Sequence, residues 1–291
     1  MHLYLSFMQN VIIGLNRIRE IHRVNIAIGL FIISVLIVLK LYNVFDIKTM
    51  VYLSLTTSIL PMIYMTKKYW NLWIQIIRSK YKISSETKDS LFTLQKRYAV
   101  SWTAGYVAYH LSTPLIFKFL GSVVAGQIGM TLSLLSTFSG LAMIFVTNYI
   151  PQYSMFNAKG EFKLSYQKFF ASCKLMLGIY FLQLLVFLVI YYFYSNFFDD
   201  RIVQFSLLLV MSFTVLIQLI VSAIGVYLKS FREDLLYPIA VIGAILSVTF
   251  SFIFIPYQNL SLFLYVNLTI HLIVILPLTV AILFRKIKSL N

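Results

Sequence analysis

Between Arg97 and Gln152 the sequence places nine polar, basic or aromatic side chains where they can meet a ligand, along a stretch that is otherwise apolar. His110 lies near the middle of the first apolar segment there, one turn ahead of Pro114. An ionisable group at that depth is either functional or a neutral ring bonded to the carbonyl that a proline leaves unpaired. His271, in the last apolar segment, has the same two readings. Lys118, at the far end of the first segment, either snorkels to the interface or offers a cation to a pyrophosphate or acidic sugar. Arg97 stands at the opposite mouth, as a basic anchor or as a partner for a lipid-linked phosphate. Trp102, Tyr106, Tyr109 and Thr113 recur at helical spacing as an aromatic and polar stripe, which either contacts neighbouring helices or lines a path. Gln127, Asn148 and Gln152 can bond sugar hydroxyls or adjacent helices.

No arrangement for bond-making chemistry accompanies them. The acidic pair Asp199–Asp200 sits on a short loop and reads as solvated turn residues. His2, His22, His110 and His271 are scattered without ligand spacing, and Cys173 is the single cysteine, so neither a metal cluster nor an internal disulfide is expected. The reading is of a protein that is not an enzyme and needs no cofactor.

Two long apolar segments joined by a short turn near Lys118–Ser122 carry most of these residues. Each reaches the roughly 20 residues that cross a bilayer as a helix. Ser101, Gly105, Ala108 and Ser112 form a small-residue face on the first; Gly126, Gly129, Ser133, Ser136 and Gly140 form one on the second. Such faces let membrane helices approach closely, so the pair is expected to be a packed hairpin. The whole chain is 60% hydrophobic and 11% charged, more apolar than a soluble domain can bury, which leaves an all-α integral membrane protein.

Residues 1–23 read as a partial or interfacial helix followed by a basic loop, and 24–66 as two spans near Asn25–Leu41 and Thr49–Met65. Residues 67–97 form a basic linker carrying Trp70 and Trp73. Residues 98–285 hold six more spans, the hairpin and then segments near Leu175–Tyr194, Ile202–Leu228, Leu235–Ile255 and Leu260–Phe284, and 286–291 form a tail. The expected total is about eight spans. Only Lys40, Lys48, Lys118 and Arg201 fall on one set of alternating loops, against 20 of the 24 lysines and arginines on the other. That asymmetry places the long linker and the C-terminus in the cytoplasm. The net charge of +15 is therefore a topology signal with some attraction to membrane lipids, and a nucleic-acid partner is not expected.

The motifs Leu94–Tyr106 (LQKRYAVSWTAGY), Pro114–Lys118 (PLIFK), Gly121–Thr131 (GSVVAGQIGMT) and Asn148–Tyr153 (NYIPQY) resemble those of the O-antigen (O-unit) translocases. These are bacterial flippases of the multidrug/oligosaccharidyl-lipid/polysaccharide exporter superfamily. The early stretch Gly14–Ile26 resembles the loop after that family's fourth helix. The resemblance implies two lobes of six helices around a cavity, with residues 98–285 as the second lobe and 24–66 as the last two helices of the first. About four helices of the family pattern would then be absent. It further implies an inner-membrane protein that moves an undecaprenyl-pyrophosphate-linked oligosaccharide between leaflets for surface polysaccharide assembly, alongside other polysaccharide-assembly membrane proteins.

Two rivals stand beside that reading. A truncated, non-transporting or partner-binding membrane protein accords with the number of spans. A drug antiporter of the same superfamily is disfavoured because no Asp or Glu lies inside an expected span.

Overall fold

The computed structural model describes residues 2–15, 17–42, 46–78, 84–198, 201–231, 234–257 and 259–290. Asp199 and Asp200 lie outside them, as do the side chains of Ala108, Tyr109 and His110. The described residues are almost all helical, joined by short turns, with no strand among them. Six helical stretches are long and apolar enough to cross a membrane: Glu20–Leu41, Ser122–Ala158, Phe162–Phe193, Phe205–Lys229, Tyr237–Phe254 and Leu260–Lys288. The chain is an all-α, multi-pass membrane protein.

Its contacts divide it into two compact units, Met1–Ile83 and Ser84–Asn291, with the division inside the stretch read as a linker. The first unit holds α1 (His2–Gly14), α2 (Ile18–Leu41), α3 (Ile47–Lys68) and α4 (Trp70–Arg78). Near the start of the chain α1 buries Leu5, Met8 and Ile12 against Met65, Tyr69 and Trp73. Glu20 pairs with Lys68 at 2.9 Å and accepts from the Tyr69 hydroxyl. α3, on the second expected span, is diluted by Thr56, Thr57, Ser58 and Pro61 and is not among the six apolar stretches.

The second unit holds α5 (Ser85–His110), α6 (Ser112–Leu120), α7 (Ser122–Thr147), α8 (Ile150–Ala158), α9 (Phe162–Phe193), α10 (Ser195–Phe198), α11 (Phe205–Lys229), α12 (Tyr237–Phe254) and α13 (Leu260–Thr269). A π-helical segment, Ile270–Ile275, and α14 (Leu276–Lys288) complete it. Prolines place most of the breaks. Pro114 has no N–H for the carbonyl of His110, four residues back, and the first arm of the hairpin divides at Leu111 into α5 and α6. This arm therefore departs from the single continuous span the sequence suggests; the charged first turns of α5 (Glu86, Lys88, Asp89) belong to the same helix. Pro151 likewise separates α8 from α7, and Pro277 follows the π segment. The hairpin turn itself is a single residue, Gly121, at φ 91°, a conformation that favours glycine.

The core lies around α11, which packs against α7, α9, α13, α14 and the π segment. α7 turns one face to α9 and α11, burying Ala125, Ile128, Thr131, Leu135, Ala142 and Val146 at helical spacing. At one end α8, α9 and α11 close on an aromatic cluster, with Phe169 stacked on Tyr227 at 4.3 Å and Tyr153 edge-on to Tyr227 at 5.6 Å. The Tyr153 hydroxyl bonds Ser172 at 2.6 Å, so its polar end is satisfied in the core. α5 packs on α12, and the Ser101 hydroxyl donates to buried Asp234, just ahead of α12, at 2.9 Å.

Candidate functional site

The small residues of α7 sit one position round the helix from its buried stripe. They do not pack. Gly126, Ser133, Ser136 and Gly140 are exposed, and a methyl group added at Gly126, Gly129 or Gly140 would meet no atom within 4 Å. The expected close-packing face of the hairpin is thus corrected: it forms the wall of an open groove. The physical reason is that glycine and serine add little bulk on this face and the facing wall of α6 and α11 does not reach across to fill the space. Thr113, at the start of α6, and Val215, Gln218, Leu219 and Ser222 of α11 line the other side.

The groove has a volume of about 670 Å³, within the roughly 300–1,000 Å³ of small-molecule sites. Its α7 wall is Gly129, Leu132, Ser133, Ser136, Ser139, Gly140 and Met143. Ser139 spends its proton on the Ser136 carbonyl at 3.0 Å. Hydroxyls and one amide supply the polar lining, and no charged side chain among the described residues joins them. Such a surface can exchange hydrogen bonds with hydroxyl groups, Ser139 accepting only and the other serines free to donate as well, but it cannot neutralise an ion.

Behind the groove lie two smaller cavities, of about 130 Å³ between α5, α11 and α12 and about 60 Å³ between α6, α7, α11 and α13. His271 lines both, from the π segment, where the ladder steps back five residues: the Leu276 N–H reaches the His271 carbonyl. π segments inside α-helices recur at functional sites. His271 Nε2 is 3.1 Å from Gln218 Nε2, and its Nδ1 is 2.9 Å from the Asn267 carbonyl. The side-chain oxygen of Asn267, beside the smaller cavity, is buried and has no hydrogen-bond partner.

None of the nine side chains singled out from the sequence lines this groove among the described residues. Trp102 and Tyr106 are exposed on α5, while Thr113 of the same stripe does reach the groove. Gln127 is half-buried on α7 and its carbonyl accepts from Thr131 at 2.7 Å. Asn148 and Gln152 are exposed at the α7–α8 junction. Lys118 is exposed at the end of α6, its Nζ 5.4 Å from the Phe119 ring. Arg97 lies over the Tyr237 ring at 5.8 Å and borders an open hollow with Thr87, Asp89 and Thr93. Tyr109 and His110 lie in the side chains outside the description.

Sequence reasoning passed over Gln218, although a signal was present. It is an amide inside a strongly apolar later segment, and with Val215, Leu219 and Ser222 it keeps the i, i+3, i+4, i+7 spacing of one helical face. No protein-family model, curated protein or solved structure matches the chain.

Proposed function

We propose that this chain translocates an undecaprenyl-pyrophosphate-linked oligosaccharide across the bacterial inner membrane, for O-antigen or other surface polysaccharide. In that reading it has eight spans, counting α3 and the α5–α6 pair, residues 98–285 are a six-helix lobe, and the C-terminus is cytoplasmic. The observation that carries it is the groove: about 670 Å³, uncharged, rich in hydroxyls, and cut into helices apolar enough to cross a membrane. A lipid-linked sugar needs such a surface. Its hydroxyls require partners at membrane depth, because each one left unpaired there costs free energy, while its polyprenyl tail stays in the lipid. Arg97, at the end of α5 assigned to the cytoplasm, supplies a cation for the pyrophosphate before the sugar enters.

Deleting the gene is expected to remove the surface polysaccharide, and the full-length gene to restore it. A polysaccharide unchanged by deletion would sink the proposal. A second test asks whether water reaches the groove. In a Cys173→Ala background, Ser133→Cys and Ser222→Cys should react in intact cells with a membrane-impermeant charged thiol reagent, and Ser247→Cys, buried on α12, should not.

A further inference from the structure

Gln218 is the one described side chain that lines the groove and both cavities behind it. An amide in the middle of a buried apolar helix is costly to place unless its polar atoms are bonded. The geometry shows which atom is committed. The Asn267 carbonyl can only accept, so His271 Nδ1, 2.9 Å away, carries the proton. The other nitrogen of the neutral ring, Nε2, is then an acceptor, and the Gln218 amide at 3.1 Å is its donor. This fixes the amide with its NH2 toward the ring and its Oε1 turned away. Oε1 bonds no described residue and is not sealed from the cavities.

We propose that Gln218 is the recognition group of the groove, with Oε1 accepting from a hydroxyl or acetamido N–H of a neutral sugar, and that His271 is the positioning residue that holds the amide in that orientation. This rests on the reading of the groove as a path for a lipid-linked glycan, and it names the part of the substrate held there. The groove takes the sugar and excludes the pyrophosphate. No charged side chain lines it among the described residues, and an unpaired phosphate at a low-dielectric wall loses more in desolvation than neutral partners return. The widened π turn is what brings His271 to the amide: it packs against α11 and α12, and Ile275 of the same turn closes on Gly243.

The test uses the full-length protein in lipid nanodiscs and two probes, undecaprenyl pyrophosphate and the same lipid bearing one N-acetylglucosamine. The sugar-bearing probe is expected to bind roughly fivefold tighter or more, the worth of one or two hydrogen bonds. Gln218→Met, which keeps the side-chain length and removes both amide atoms, should abolish that preference. His271→Leu should do the same. His271→Gln, whose amide oxygen can accept from Gln218, should restore most of it. In protein labelled with 15N-histidine, the His271 signal should report the Nδ1–H tautomer, and its Nε2 resonance should move in Gln218→Met. A preference retained in Gln218→Met, or equal binding of both probes by the unmodified protein, overturns the inference and leaves the translocation reading standing. Binding of neither probe overturns both. If Gln218→Met does not fold, the tautomer of the unmodified protein decides, and an Nε2–H ring overturns the inference.

Discussion

On α7, glycines and serines at 126, 129, 133, 136 and 140 border open space; on α12, Gly243, Ala244, Ser247 and Ser251 are buried. The composition is the same and the outcome opposite. A methyl group added at Gly243 would come within 2.9 Å of Ile275 Cδ1, whereas at Gly129 it would touch nothing within 4 Å. Small residues in a membrane helix remove volume, and the facing wall decides whether that volume is filled. Opposite Gly243 stands an isoleucine that fills it. Opposite the α7 stripe stand Thr113, Val215, Gln218, Leu219 and Ser222, none of which reaches across to fill it, and the space persists as a groove. Close packing and an open path are two products of one sequence pattern.

The comparison can be broken by adding bulk to each face. Gly243→Leu should cost about 1–3 kcal/mol through overpacking against Ile275, read as a lower melting midpoint in detergent. Ser136→Leu, on the groove wall, should stay within about 0.5 kcal/mol of the unmodified protein while blocking substrate. Equal destabilisation by both would show that the α7 face is packed after all. A smaller loss belongs to the contact beside the packed face: Ser101→Ala withdraws a donor from Asp234, which is 2% exposed, at about 1–2 kcal/mol in the same melt. A further small effect is of opposite sign. Gly140→Ala, in open space within a helix, should raise stability by about 0.5–1 kcal/mol, because alanine gives up less backbone freedom on folding than glycine. A loss there would mean that a neighbour closes on Gly140.

Much of the fold was legible because apolar helices announce themselves by length. The segments near Ile202–Leu228 and Leu235–Ile255 correspond to α11 and α12 within about three residues. The hairpin turn was legible too, since Lys118–Ser122 encloses the glycine that makes it. Boundaries failed where helices run on beyond their apolar stretch: α9 begins at Phe162, well ahead of the expected Leu175, because Phe169 and Ser172 pack into the aromatic cluster and extend it. The groove was not legible from spacing. Whether Ser133 and Ser136 meet a neighbour depends on α11, which lies about 80 residues further along the chain. Gln218 and His271 are 53 residues apart and become partners only through tertiary packing.

The π segment alters what a change of chain length does. An α-helix of fixed ends cannot lose a residue without turning everything beyond it by about 100°. At Ile270–Ile275 the turn already holds one residue more than an α turn needs, with the Leu276 N–H bonded five residues back. Deleting exposed Leu272 would let that turn contract to α geometry, so α14 would keep its rotation and its depth, with Thr279 and Leu283 still facing the core. The loss would fall on the bonds of the turn itself, the His271–Gln218 contact among them. The last span therefore contains a slot in which the gene can shorten by one codon, sparing the architecture and exposing only the histidine to selection.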